Sequence, residues 1–241
     1  MTNGNSHHEV TSSIERVRFY ADGAALIFKN AEALYDEAQL LGQAGHFARA
    51  AVLHQVSMEE CSKIDKLGAA ATSILRGYDV DEIRLAKAFR NHKSKNYANA
   101  YFARATDEEM AARANGDWKA ASEAFKKFQD KFHAEVNTIK NAGLYVDFQD
   151  GQFTAPVDEV DEPTAIAFQS MNADFLRHCD NFLRLLHRMV SEPDFYAGLT
   201  KNFIEQLEAL RDVKELDPLQ ILDVLMDELH AKLGMQNGWR T

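Results

Sequence analysis

Proline and glycine are scarce in this 241-residue chain, at 4 and 12 residues, which argues against the turn-rich architecture of a β-sandwich and against disorder. Cysteine is nearly missing. Its two copies, Cys61 and Cys179, are far apart and in no CxxC or other metal-ligand spacing, so a disulfide scaffold and a zinc ribbon are excluded and two buried thiols in a reducing cytoplasm are expected. No uninterrupted apolar run nears the ~20 residues that cross a bilayer, so no membrane partner is expected. The first dozen residues, MTNGNSHHEVTS, lack the basic region and apolar run of a secretory signal. They read as a disordered tail over 1–12, with His7 and His8 incidental. Bases are also in deficit, 27 against 37 acids for a net charge of -10. Such a chain repels nucleic acid and anionic membrane at long range, so any polyanion site must be a local reversal.

What the chain has in abundance is apolar and charged residues at helical spacing, 46% and 27% of the total. Apolar positions from Val17 through Ala24, Phe28, Ala31 and Leu34 to Leu41 predict a long first helix that stops near Gly42 to Gly45. A second is expected over about His46 to Arg76, and a third from a cap at Asp79 to about Ala105. Thr106 and Glu109 have capping-box spacing for a short helix that Asn115-Gly116 breaks. The row Trp118, Phe125, Phe128, Phe132, Val136 and Ile139 predicts a long amphipathic helix closed at Asn141-Ala142-Gly143, and reads as core. From Gly143 to Ala155 the pattern alternates around Asp150-Gly151, the signature of a β-hairpin. Pro163 opens a helix through Met189, another spans about Phe195 to Val213, and Asp217-Pro218 opens a last one ending at Gly234. With no repeat and no linker, the expected fold class is all-α. One helical domain over 13–241 carries a hairpin insertion at 143–155 and C-terminal helices over 163–234.

The second helix contains HQVSMEECSKIDKLG, His54 to Gly68, in which charge interrupts the greasy face. On a wheel of 100° per residue, Val52, Lys63, Val56, Leu67, Glu60, Leu53 and Ile64 share about 120° of arc. A lone charge there costs several kcal/mol, so Glu60 and Lys63 require partners. Glu59 sits at the edge of the stripe, four residues before Lys63 in the favourable order. Either these residues form a structural ion-pair cluster between helices or they line a polar pocket.

Helix three supplies complementary charge. Between Ile83 and Ala105 stand six bases, Arg84, Lys87, Arg90, Lys93, Lys95 and Arg104, and no acid. Read as one continuous helix, Lys93 falls on the face of Ala86, Phe89, Tyr97 and Ala100, with Arg90 close by and His92 to one side. Bases interleaved with Phe89, Tyr97, Tyr101 and Phe102 suit RNA, by phosphate contact and base stacking. A solvated basic face is the plainer alternative. Glu60 facing Arg90 or Lys93 would join both runs in one network, a polar cluster of Glu59, Glu60, Lys63, Lys93, Lys95 and Tyr97.

The stretches SMEECSKIDKL, FRNHKSK and NAGLYVDFQDGQFTAP, in this order, resemble the AbiV abortive infection proteins of the HEPN superfamily, over about Ala25 to Phe175. The resemblance implies a helical bundle with its core at about 13–140, usually a homodimer, serving in bacterial defence against phage. Many HEPN proteins are metal-independent endoribonucleases that use an Arg, a polar residue and, after a total gap of four to six residues, a His. Two subunits commonly bring two such motifs to one cleft. Here the resemblance assigns catalysis to Arg90, Asn91 and His92: His92 as base or acid, Arg90 and Lys93 on the phosphate, Asn91 orienting one of them. The motif is not intact as usually written. His92 follows Arg90-Asn91 at once, Tyr97 stands where a six-residue gap would put the His, and from Arg84 the His comes one residue late.

Two functions are therefore weighed: a defence protein acting on RNA or translation through this cleft, and a non-catalytic defence protein that binds a phage-encoded or host macromolecule, its charged cluster structural. A third, a carboxylate-bridged metal bundle, needs Glu-x-x-His on two helices. The chain lacks that motif, since His133-Ala-Glu135 has the wrong spacing, and no metal or other cofactor is expected. His54, His133, His178 and His187 read as ordinary helix histidines.

Overall fold

Alanines line one face of the first helix, α1 (Asn3–Gln43), which packs on the second, α2 (Phe47–Leu75), and small side chains let helix axes approach closely. Ala21, Ala24, Ala31 and Ala38 of α1 and Ala50, Ala51, Ala70 and Ala71 of α2 are buried. The computed structural model describes residues 3–213. It continues with α3 (Glu82–Arg90), α4 (His92–Phe102), α5 (Asp107–Ala114), α6 (Trp118–Leu144), β1 (Asp147–Gln149), β2 (Gln152–Thr154), α7 (Pro156–Glu159), α8 (Glu162–Ser191) and α9 (Pro193–Val213). The fold is all-α apart from the hairpin.

Helix α8 lies against both α1 and α2, and the main core forms where the three meet, from Val17, Tyr20, Met58, Ile64, Phe175, Leu186 and Met189. The other flank of α2 receives α4, α6 and α7. Three of the expected helix starts carry the capping bond that fixes them: Thr106 accepts from Glu109 N, Asp117 from Ala120 N, and Asp161 from Thr164 N. The hairpin pairs Asp147 with Thr154, Phe148 with Phe153 and Gln149 with Gln152. Its turn places Asp150 at φ 54 and Gly151 at φ 80, the left-handed pair that an Asp-Gly turn of the primed type requires.

Two boundaries differ from expectation. Helix α1 begins at Asn3, so residues 3–12, expected as a disordered tail, continue the helix; each residue added to an existing helix gains a hydrogen bond without a new nucleus. The single helix expected from Asp79 to Ala105 is two. Asp81, not Asp79, caps α3, accepting from Arg84 N, and the chain breaks at Asn91. The helix expected over 217–234 lies outside the described residues.

Gly143 is where α6 reaches α2. A Cβ there would stand 2.6 Å from Val52 Cγ2 and 2.8 Å from the Ala48 carbonyl oxygen, and a backbone atom does not move aside cheaply. Gly143→Ala is expected to lower stability by ~1–3 kcal/mol, measured by denaturant titration.

The core also holds titratable groups. His54 is 2% exposed, accepts at Nδ1 from the Asn172 side-chain amide at 3.2 Å, and meets Tyr35 edge-on; Asn172 Oδ1 in turn accepts from Ser57 Oγ, which lies 2.7 Å from the Ala31 carbonyl. Burial pulls the His54 imidazole down to about 4. Burial pushes the Asp65 carboxyl up to about 7, against a smaller opposing pull from Lys66. The two act in opposite senses. A depressed histidine is neutral in the fold, so its share of stability is full above pH 6.5 and lost as pH falls toward 4. A raised carboxyl favours its neutral form, so its share is full below the unfolded value of 3.8 and lost as pH rises through 7. Asp65→Asn is therefore expected to raise Tm at pH 8 and to leave it unchanged near pH 3; thermal melts across that range read the difference.

Candidate functional site

Asn91 makes the site possible by ending one helix and starting the next. Its backbone is extended, at φ -89 and ψ 100; its N–H donates to the Ala88 carbonyl at the end of α3, and its side-chain oxygen accepts from Ser94 N at the start of α4. An asparagine suits both tasks because its short amide can cap a helix while its backbone leaves the helical region. Asn91 thus positions the α4 backbone, and its side-chain oxygen is engaged there.

The break also resets which residues of α4 face inward. With α4 starting at His92, positions 92, 95, 96 and 99 share one face, and Lys95, Asn96 and Asn99 are buried. Lys93, expected on the packing face, is exposed, with its ammonium 5.1 Å from the centre of the Tyr97 ring. Arg90 is exposed as well.

Glu59 of α2 is the centre of this face. Its carboxylate is only 4% exposed. Oε2 accepts from Lys95 Nζ at 2.9 Å and faces His92 Nδ1 at 2.6 Å, while Oε1 accepts from Lys140 Nζ of α6 at 3.1 Å. Burial alone would raise its pKa, but the hydrogen bonds and charges of Lys95 and Lys140 overcome that and hold it below the usual value. It is therefore an anion at neutral pH, and an ionised carboxylate can only accept. His92 Nδ1 must donate, which leaves Nε2 as the unprotonated nitrogen of the neutral ring. The His92 side chain is 61% exposed.

Glu60 and Lys63, expected to meet the basic helix, bond to each other within α2, and Asn30 of α1 donates to Glu60 at 3.1 Å. Lys63 also lies 5.8 Å from the centre of the Phe89 ring. The residue that meets the bases is Glu59, which the wheel puts at the stripe's edge: α2 is covered on the flank of α4 and α6 as well as by α1 and α8, so an edge position is enclosed. Tyr97 belongs to a neighbouring cluster on α6, where its hydroxyl donates to Asp130, its carbonyl accepts from Gln129, and its ring meets His133 edge-on. Asn96 joins it, 3.1 Å from His133 Nδ1.

Lys140, Asn96, Asn99 and His133 were not singled out for this site from the sequence. The signal was present for α4, where a helix begun at Asn91 puts His92, Lys95, Asn96 and Asn99 in one polar stripe. For Lys140 there was none, because its partner lies 81 positions away. In sum the ammoniums of Lys63, Lys95 and Lys140 face the carboxylates of Glu59 and Glu60, one positive charge in excess before His92 is counted. This favours an anionic ligand. Among the described residues no group of three or more His, Cys, Asp or Glu has the layout of a metal site, and no helix is long and apolar enough to cross a membrane.

The chain is 35% identical over 121 residues to the "Uncharacterized protein y4gJ" of Sinorhizobium fredii (strain NBRC 101917 / NGR234), an alignment covering 50% of this chain and 63% of that protein. No solved structure matches. The family model HEPN_AbiV, described as AbiV, matches residues 19–177, which contain α2, the break at Asn91, the Glu59 cluster and the hairpin. The chain therefore belongs to the AbiV family of HEPN proteins.

Proposed function

We propose that this protein serves in abortive infection against phage, as a homodimer that cleaves RNA without a metal ion at the Glu59–His92 centre. The observation that carries the reading is the 2.6 Å contact of His92 Nδ1 with a buried, ionised Glu59. A carboxylate behind an imidazole fixes its tautomer and orientation and stabilises the cation formed when the outer nitrogen takes a proton.

RNA carries its own nucleophile. His92 Nε2 removes the 2′-hydroxyl proton, the 2′-oxygen bonds to phosphorus, and the bond from phosphorus to the 5′-oxygen breaks, giving a 2′,3′-cyclic phosphate and a 5′-hydroxyl once the leaving oxygen is protonated. The same motif of the second subunit supplies that acid. Arg90 and Lys93, both exposed beside His92, attract the phosphates, and the net positive cluster favours the phosphorane charge. Asn91 acts by setting the start of α4. Incubation of purified protein with tRNA or total RNA tests the reading. Cyclic-phosphate ends from the wild type and their loss in His92→Ala support it; background cleavage by both overturns it.

The burial of Glu59 and Lys95, at 4% and 5% exposure, favours a second reading. There the cluster only holds α2, α4 and α6 together, and the protein defends by binding a phage-encoded or host macromolecule. An inactive wild type whose fold depends on Glu59 is the outcome that selects it.

A further inference from the structure

The last turn of α2 closes on Gly77. At φ 79, a value that glycine adopts without strain, its N–H donates to the Ile74 carbonyl and the N–H of Tyr78 donates to the Ser73 carbonyl. This closure satisfies the end of the helix and folds the chain back on it. Tyr78 is thereby brought to Arg76, whose guanidinium lies 4.7 Å from the centre of its ring. Arg76 is half-buried, yet no carboxylate pairs with it among the described residues. The acids that follow it in the chain are engaged elsewhere: Asp79 pairs with Arg16 at 3.3 Å, and Asp81 accepts from Arg84 N. A partly desolvated cation without a counter-ion favours an anionic ligand.

Arg76 and Tyr78 line an open cavity of about 500 Å³ between the end of α2 and α9, together with Leu75, Ala197 and Gly198, a volume within the ~300–1,000 Å³ range of small-molecule sites. Lys201 adds a second cation to this wall. It is 76% exposed and stands 3.9 Å from Glu205, so solvent screens that pairing and leaves the ammonium able to turn to another anion. Gly198 is the unexpected member. Glycine inside a helix is less favourable than alanine, and a Cβ at Gly198 would meet nothing within 4 Å. Packing within the chain does not require this glycine, in contrast with Gly143. Its bare backbone leaves that side of the cavity without a side chain.

We propose that this cavity binds a nucleoside monophosphate, its phosphate held by Arg76 and Lys201 and its planar base laid against Leu75, Ala197 and the backbone at Gly198. A phosphate monoester carries about −1.5 to −2 charge at pH 7, which suits two cations better than a single carboxylate does. The guanidinium presents a planar fork of donors to phosphate oxygens, and its stack on Tyr78 holds that fork in place. A free nucleotide and the phosphorylated end of a strand offer the same chemistry. Leu75 lies about 24 Å along α2 from Glu59, so the site is separate from the Glu59–His92 centre and does not depend on the cleavage proposed there.

Isothermal titration calorimetry of the full chain with AMP, GMP, CMP and UMP tests it. At least one is expected to bind, one per chain, with Kd below about 1 mM; its nucleoside, ribose 5-phosphate and inorganic phosphate each bind at least about tenfold more weakly. A 5′-phosphorylated oligonucleotide identifies the source: tighter binding than the mononucleotide assigns the site to strand ends, and equal or weaker binding assigns it to free nucleotide. Arg76→Ala weakens binding by about tenfold or more and Lys201→Ala by about threefold or more. Gly198→Leu occupies the cavity without displacing a neighbour, so it weakens binding by about tenfold or more while Tm and circular dichroism stay as in the wild type. His92→Ala leaves the affinity unchanged. No binding by any of the four, equal affinity for inorganic phosphate, or binding that is lost in His92→Ala but kept in Arg76→Ala and Gly198→Leu overturns the proposal.

Discussion

Glu59→Ala is expected to destabilise the protein by ~3–5 kcal/mol, because it leaves the buried Lys95 ammonium without its counter-ion. For a chain of this size that corresponds to a fall in Tm of roughly 6–20 °C. Lys140 and His92 lose the same partner, but both reach solvent, at 22% and 61% exposure, and are rehydrated more cheaply. Glu60→Ala provides the contrast. Its partners are Lys63 on the same helix and Asn30, so its removal costs about 1 kcal/mol or less. Adding Lys95→Met to Glu59→Ala should recover part of the lost stability, since a thioether in that place needs no counter-charge. Thermal unfolding of the four proteins checks the ranking. Equal melting temperatures for Glu59→Ala and Glu60→Ala would move the centre of the cluster away from Glu59.

The second large effect concerns chemistry. Under the proposed ribonuclease reading, His92→Ala is expected to lower RNA cleavage by ~10²–10⁴-fold, the usual loss on removing a general acid or base, while leaving Tm within a few degrees because the side chain is 61% exposed. Glu59→Gln separates orientation from charge. It keeps the shape, loses the anion that fixes the imidazole, and should reduce the rate without abolishing it. Lys93→Ala should act mainly on substrate binding, raising KM and reducing the dependence on salt, because an exposed ammonium contributes attraction to phosphates. A fall in kcat with unchanged KM in Lys93→Ala would place that ammonium at the reacting phosphate.

Much of the architecture was legible in the residues, because helix spacing, caps and turn glycines act locally. Thr106 and Asp150-Gly151 marked a helix start and a hairpin turn, and each is where its hydrogen bond or backbone angle requires it. Asn91 was harder to read. FRNHKSK has no glycine or proline to mark a break, and the asparagine's double role as the end of α3 and the cap of α4 is indistinguishable from an exposed helical asparagine until the chain folds. Carrying the helix through it turned the phase of α4, which exchanged Lys93 for Lys95 as the inward base. The wheel for α2 identified a charge conflict but chose Glu60 over Glu59, since a single wheel assumes one packed face and α2 is covered by α1, α8, α4 and α6. Lys140 depended on tertiary structure alone.

The most direct test of the central claim is the tautomer of His92, read from long-range proton–nitrogen correlations in ¹⁵N-labelled protein at a pH where the ring is neutral. A buried anionic Glu59 at Nδ1 requires the proton on Nδ1 and a bare Nε2, and this state should be lost in Glu59→Gln. A proton on Nε2 in the wild type, unchanged by that substitution, would contradict the carboxylate–imidazole pair and with it the base that the proposed RNA cleavage requires.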